Sequence, residues 1–185
     1  MTANQAILRN LFHFSGVAIP ITYALCGRDV ALALTLVSSC AVAFLEFLRI
    51  TGRLHIARIG KFLKEKELKK PTGSLFYLIA AFISILLFVK WVAICSLLIL
   101  CISDPLSSFI GRNMGRHPFS GKSIEGTAAF FCSALIIVAL FSHAAFAAIA
   151  VATVTTLTEL FTPAFLDDNL TIPIVAGLTL ALLGA

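Results

Sequence analysis

Ser74–Ser103 reads SLFYLIAAFISILLFVKWVAICSLLILCIS, and its 30 residues carry a single charge, Lys90. As one helix rising 1.5 Å per residue it would be about 45 Å long. That is too long for one passage through a hydrocarbon core of about 30 Å. The run therefore predicts a hairpin of two helices turning at Lys90 and Trp91, although no Gly or Pro marks the turn. Extended along the chain, the same reading predicts seven apolar spans: Leu11–Gly27, Val30–Leu48, Ser74–Val89, Trp91–Phe109, Thr127–Ser142, Ala144–Phe161 and Leu170–Ala185. With the N-terminus inside, twelve of the 14 basic residues fall on the cytoplasmic side and only Arg28 and Lys90 outside. This is the positive-inside asymmetry, and it requires both the Lys90 turn and a second turn at His143. The expected fold is all-α, a bundle of about seven transmembrane helices in a single domain, 1–185, with a cytoplasmic N-terminus.

Composition points to the same solvent. Hydrophobic residues make up 59% of the chain and charged residues 12%, whereas a soluble domain is about a quarter charged. A multi-pass protein of the lipid bilayer is expected, in the cytoplasmic membrane of a prokaryote or in an endoplasmic-reticulum or organelle membrane of a eukaryote. The first span lacks a small-residue cleavage pattern and is expected to be retained. Cys26, Cys40, Cys95, Cys101 and Cys132 are scattered through apolar spans without a C-x-x-C pair, so they read as packing residues. The net charge of +5 suits anionic headgroups, and its placement in membrane-tethered loops argues against nucleic-acid binding. A homodimer is compatible with the sequence.

Three polar stretches interrupt the spans on the expected cytoplasmic side. In Arg49–Thr72, Ile56, Ile59, Phe62 and Leu63 share one helical face, with Arg58, Lys61, Lys64 and Lys66 elsewhere, as in an interfacial helix anchoring the topology. The second, Gly111–Gly126, reads GRNMGRHPFSGKSIEG and holds four glycines. The third is Thr162–Asn169, with Asp167-Asp168-Asn169. Acids inside membrane spans are costly and usually functional; here they are Glu46, Asp104 and Glu159. Pro105 disfavours helical geometry at Asp104 and predicts a broken helix there.

Glycines let backbone N–H groups approach an anion, and Arg and Lys supply charge and forked donors. Lys122 and Ser123 stand just before an expected helix start at Thr127, a common phosphate position. Asp104, Asp167 and Asp168 offer the oxygen ligands that suit Mg²⁺ together with substrate phosphates. Two readings stay open on these residues: an enzyme handling a nucleotide or polyphosphate, or a basic re-entrant loop that only anchors topology.

The run Ser103-Asp104-Pro105, Gly111-Arg112, Gly115-Arg116-His117 and Gly121-Lys122-Ser123-Ile124-Glu125-Gly126-Thr127 resembles the signature of the polyprenol kinase family. That family comprises CTP-dependent dolichol, phytol and diacylglycerol kinases. Further similar elements are Arg9…His13…Gly16, Glu46…Arg49, Glu67…Thr72-Gly73-Ser74, and Glu159…Asp167-Asp168-Asn169-Leu170-Thr171-Ile172-Pro173. Ser103 departs from the pattern, since many relatives have glycine there. The resemblance implies transfer of the γ-phosphate of CTP to a long-chain isoprenoid alcohol such as dolichol, with Mg²⁺ as cofactor. It implies catalytic roles for Asp104, Lys122 and Glu125. CTP contacts would come from Ser107, Gly111, Arg112, Gly115, Arg116, His117, Lys122, Ser123 and Gly126, and metal ligation from Asp104, Asp167 and Asp168. Arg9, His13, Glu46, Arg49, Glu159 and Asn169 are its further polar site residues. Glu125 could equally cap the next helix or receive an Arg. A CTP-dependent lipid-phosphate cytidylyltransferase carries a similar loop but releases pyrophosphate rather than CDP. A transporter or scaffold would turn over no nucleotide.

Overall fold

The structure, a computed structural model, describes residues 13–53, 70–142, 144–163 and 166–184. Arg9, Glu67, the amphipathic stretch around Ile56–Lys66 and the turn at His143 lie outside the described residues. Helix α1 covers His13–Cys26 and is regular from Ala18. It is followed by α2 (Arg28–Ile50), α3 (Gly73–Leu87) and α4 (Lys90–Leu98). One π-helical turn, Ile99–Ser103, leads into α5 (Asp104–Met114). A short hairpin of β1 (Pro118–Phe119) and β2 (Lys122–Ser123) precedes α6 (Ile124–Phe141), α7 (Ala145–Phe161) and α8 (Asp168–Leu182).

Helices therefore stand at all seven expected places. Three have the length and apolarity to cross a membrane: α2, the continuous Lys90–Met114 rod, and α6. The other four are apolar but shorter, at 10–17 residues. The hairpin turn expected at Lys90 and Trp91 lies at Phe88 and Val89, which are extended, and Lys90 opens α4. The break expected at Pro105 is absent. Instead the π-helical turn just before it shifts the hydrogen-bond register, which accommodates a residue that cannot donate to the preceding turn.

The Lys90–Met114 rod is the axis of the packing. Val92–Leu97 are all buried. On one side α4 and the π-helical turn meet α6, α7 and α8 through Phe130, Val138, Val151, Ile172 and Leu180. On the other, α4 meets α1, α2 and α3 through Tyr23, Ala31, Ala81 and Ile85. Alanines and Gly177 at these contacts let the helices approach closely, as helices do in lipid. The outer helices turn large apolar side chains outward, including Val37 and Phe44 on α2, Leu140 on α6 and Phe146 on α7. Such continuous apolar surface fits a membrane protein.

A Cβ on Gly177 would stand 2.1 Å from the Phe88 ring, which ends α3. Gly177→Ala is expected to cost about 1–3 kcal/mol by overpacking. A lowered thermal midpoint in detergent, restored by adding Phe88→Leu, would check it.

Contacts between helix ends sort the charges. Arg28 donates to the carbonyls of Ile85 (3.3 Å) and Leu86 (2.7 Å), and Lys90 to that of Ala24 (2.9 Å), so both cations sit on helix C-termini at one end of the bundle. At the other end Arg49 pairs with Glu46 and donates to the carbonyl of Lys70 (2.7 Å), tying α2 to the start of α3. The remaining acids and bases discussed below gather at that same end.

Candidate functional site

A polar cavity of about 540 Å³ lies at this second end. Helix α5 supplies one wall. Asp104, Ser107, Ser108, Gly111, Arg112 and Gly115 recur at the three- and four-residue spacing of a single helical face, and all line the cavity. Opposite them stand Arg116, Pro118, Gly121, Lys122, Ser123 and Gly126 from the hairpin and the start of α6. Glu159 near the end of α7, Asp168 and Asn169 at the start of α8, and His13 of α1 complete the lining.

The hairpin is local chemistry. Pro118 pairs with Ser123 and Phe119 with Lys122, around Ser120 (φ 47°) and Gly121 (φ 77°). Positive φ at both central residues is the turn that matches strand twist, and glycine takes it without strain. Both ends of the stretch expected to be a glycine-rich loop are in fact helix: α5 runs to Met114 and α6 starts at Ile124. Gly115 and Gly126 act there as packing notches. A Cβ on Gly115 would meet the Gly111 carbonyl at 2.2 Å and Ser123 Oγ at 2.7 Å, and one on Gly126 would meet the Ser107 carbonyl at 2.9 Å. The glycines thus bring α5 against the start of α6 and form the cavity wall by doing so.

Lys122 pairs with Glu159 Oε1 and donates to the Glu159 backbone carbonyl (2.7 Å). Ser107 Oγ donates to the same Oε1 (3.3 Å). Glu159 is 4% exposed, and among the described residues its Oε2 has no hydrogen-bond partner. His13 Nδ1 lies 3.7 Å from Asp104 Oδ2. Ser123 caps α6 by accepting from the Gly126 N–H (3.1 Å).

Several expected site residues lie elsewhere. His117 Nδ1 and Glu125 Oε1 are 2.7 Å apart, and this pair braces the hairpin outside the cavity lining. Asp167 does not line the cavity; its side chain accepts from the Asn169 N–H (3.0 Å) and caps α8, while Asp168 does line it. Glu46 and Arg49 form the brace between α2 and α3. Among the described residues no three His, Cys, Asp or Glu side chains converge as a complete metal cage. Ser108, Pro118 and Gly121 are lining residues that sequence reasoning missed; for Ser108, its place four residues after Asp104 on α5 is the available signal. Cys26, Cys40, Cys95, Cys101 and Cys132 are all free.

The uncharacterized protein RP860 of Rickettsia prowazekii (strain Madrid E) is 35% identical over 141 residues, covering 70% of this chain and 67% of its own length. This chain belongs to the same family as that protein. No family model matches the chain. No solved structure matches it.

Proposed function

We propose that the protein phosphorylates a membrane lipid alcohol of the polyprenol type, transferring the γ-phosphate of CTP and releasing lipid monophosphate and CDP. The observation that carries the reading is one cavity holding Arg112, Arg116 and Lys122 together with Asp104, Glu159 and Asp168, at one end of an otherwise apolar bundle. Its volume is in the range of small-ligand sites. Three cations and three carboxylates balance one another, so a triphosphate would need further positive charge. The resemblance to the polyprenol kinase signature supports CTP as donor and an isoprenoid alcohol as acceptor.

The carboxylates of Asp104 and Asp168 in the cavity fit Mg²⁺, which commonly takes one or two carboxylates and completes its shell with water and substrate phosphates. Asp104 and Asp168 would hold it, and when bound it would neutralise developing phosphate charge. Arg112, Arg116 and Lys122 orient the phosphates. The alcohol oxygen attacks the γ-phosphorus, the bond from that phosphorus to the β,γ-bridging oxygen breaks, and CDP leaves with the electron pair. Asp104 accepts the hydroxyl proton.

Purified protein in nanodiscs, given CTP, Mg²⁺ and a panel of prenols, should produce CDP and prenyl phosphate in equal amounts. Pyrophosphate released with a lipid phosphate acceptor would replace this reading by cytidylyl transfer, and absence of nucleotide turnover with every acceptor would overturn both.

The reading places the cavity on the cytoplasmic face of a seven-span protein whose N-terminus is inside. Support comes from the segregation of Arg28 and Lys90 at the end opposite Arg49, Lys70 and Lys122. In a cysteine-free background, an impermeant thiol reagent added to intact cells should label a cysteine at position 28 and spare one at position 53. The reverse pattern would invert the topology.

A further inference from the structure

We propose that a second, apolar cavity beside the polar one holds the first isoprene units of the alcohol acceptor and thereby selects which alcohols are used. The inference rests on the phosphotransfer reading above and names the acceptor subsite. The cavity measures about 200 Å³ and lies where α1, α2 and α3 meet the π-helical turn. Ile19, Val42, Leu78 and Leu100 give it an apolar lining. His13 and Asn169 line both this cavity and the polar one, so the two meet at those side chains.

Two polar side chains that line the apolar cavity, Tyr77 and Cys101, are already engaged. Tyr77 donates its hydroxyl hydrogen to the Gly16 carbonyl (2.7 Å), and Cys101 Sγ donates to the Tyr77 oxygen (3.3 Å). Most of the surface facing the space is apolar, with Ser15 and Ser74 also on its wall. A dry apolar cavity of about 150 Å³ holds a benzene-sized group, so this one suits one or two branched five-carbon units. A prenol seated there would place its hydroxyl at the His13–Asn169 boundary, beside Asp104, which is 3.7 Å from His13. Val42 and Leu78 are each partly exposed, so the rest of a long chain can leave past them into the apolar surroundings.

Val42 is the residue to change, because it lines only the apolar cavity and belongs to no part of the polar one. Val42→Phe should raise the KM for farnesol about tenfold or more, as a filled hydrophobic subsite does, while the KM for CTP stays at the wild-type value. In parallel, a diazirine analogue of farnesol is photolysed on wild-type protein in nanodiscs and the crosslinks are mapped by mass spectrometry. Crosslinks should fall on the segments containing Tyr77–Leu78 and Leu100–Cys101. Crosslinks confined to other segments, or an unchanged farnesol KM in a Val42→Phe protein with normal CTP kinetics, would overturn the proposal. The wild-type map decides alone if Val42→Phe does not fold. Crosslinking here without any CTP-dependent phosphorylation would keep the subsite and sink the phosphotransfer reading; phosphorylated farnesol with crosslinks elsewhere would do the opposite.

Discussion

Asp104→Asn is expected to leave membrane insertion and the Lys90–Met114 rod intact while lowering turnover by about four orders of magnitude. The substitution keeps the shape of a side chain that opens α5 directly after the π-helical turn, and it removes only the charge. At this position Asp104 faces His13 at 3.7 Å and lines the cavity with Arg112 and Lys122. Phosphoryl transfer depends on charge placement rather than covalent help. Losing one preorganised electrostatic group costs about 10²–10³ in rate, and losing a positioned proton acceptor about 10²–10⁴. The two overlap on one carboxylate, so their product is an upper bound. Single-turnover rates at saturating CTP across a Mg²⁺ titration measure the loss. A near wild-type rate would make Asp104 a structural partner of His13 and move the reaction centre toward Asp168.

The helices were legible because nearly every turn between apolar runs carries its own charge. The turn just before Lys90 follows from length, since a continuous helix there would overshoot a bilayer. Features that depend on packing between distant segments were less legible. Gly111, Gly115 and Gly126 look like loop glycines in sequence, yet the first and last belong to helices and all three face close neighbours that only the fold supplies. Pro105 reads as a break, but the register shift that accommodates it is spread over Ile99–Ser103, where no residue type announces it. Asp167 and Asp168 are chemically identical neighbours; the point where α8 starts turns one into a cap and the other into a cavity residue. Glu159 was conspicuous as an acid inside an apolar run, but its partner Lys122 lies 37 residues away.

That pair carries the second large effect. Lys122→Ala leaves the Glu159 carboxylate buried, with the Ser107 hydroxyl donating to Oε1 and no hydrogen bond to Oε2 among the described residues. Breaking a fully buried ion pair costs about 3–5 kcal/mol. Lys122 is 33% exposed, so water offsets part of the loss and a smaller drop in thermal midpoint is expected. Turnover should fall about 10²–10³-fold, because Lys122 is also the cation nearest the start of α6, where the phosphates are placed. The two effects separate in a cycle. Lys122→Ala combined with Glu159→Gln removes the stranded charge, so the midpoint should recover while turnover stays low. Lys122→Arg keeps the charge but replaces a compact ammonium with a planar fork, and only partial activity should return. If the double variant regained turnover along with stability, Lys122 would serve only to neutralise Glu159. The phosphates would then have to be held by Arg112 and Arg116 alone.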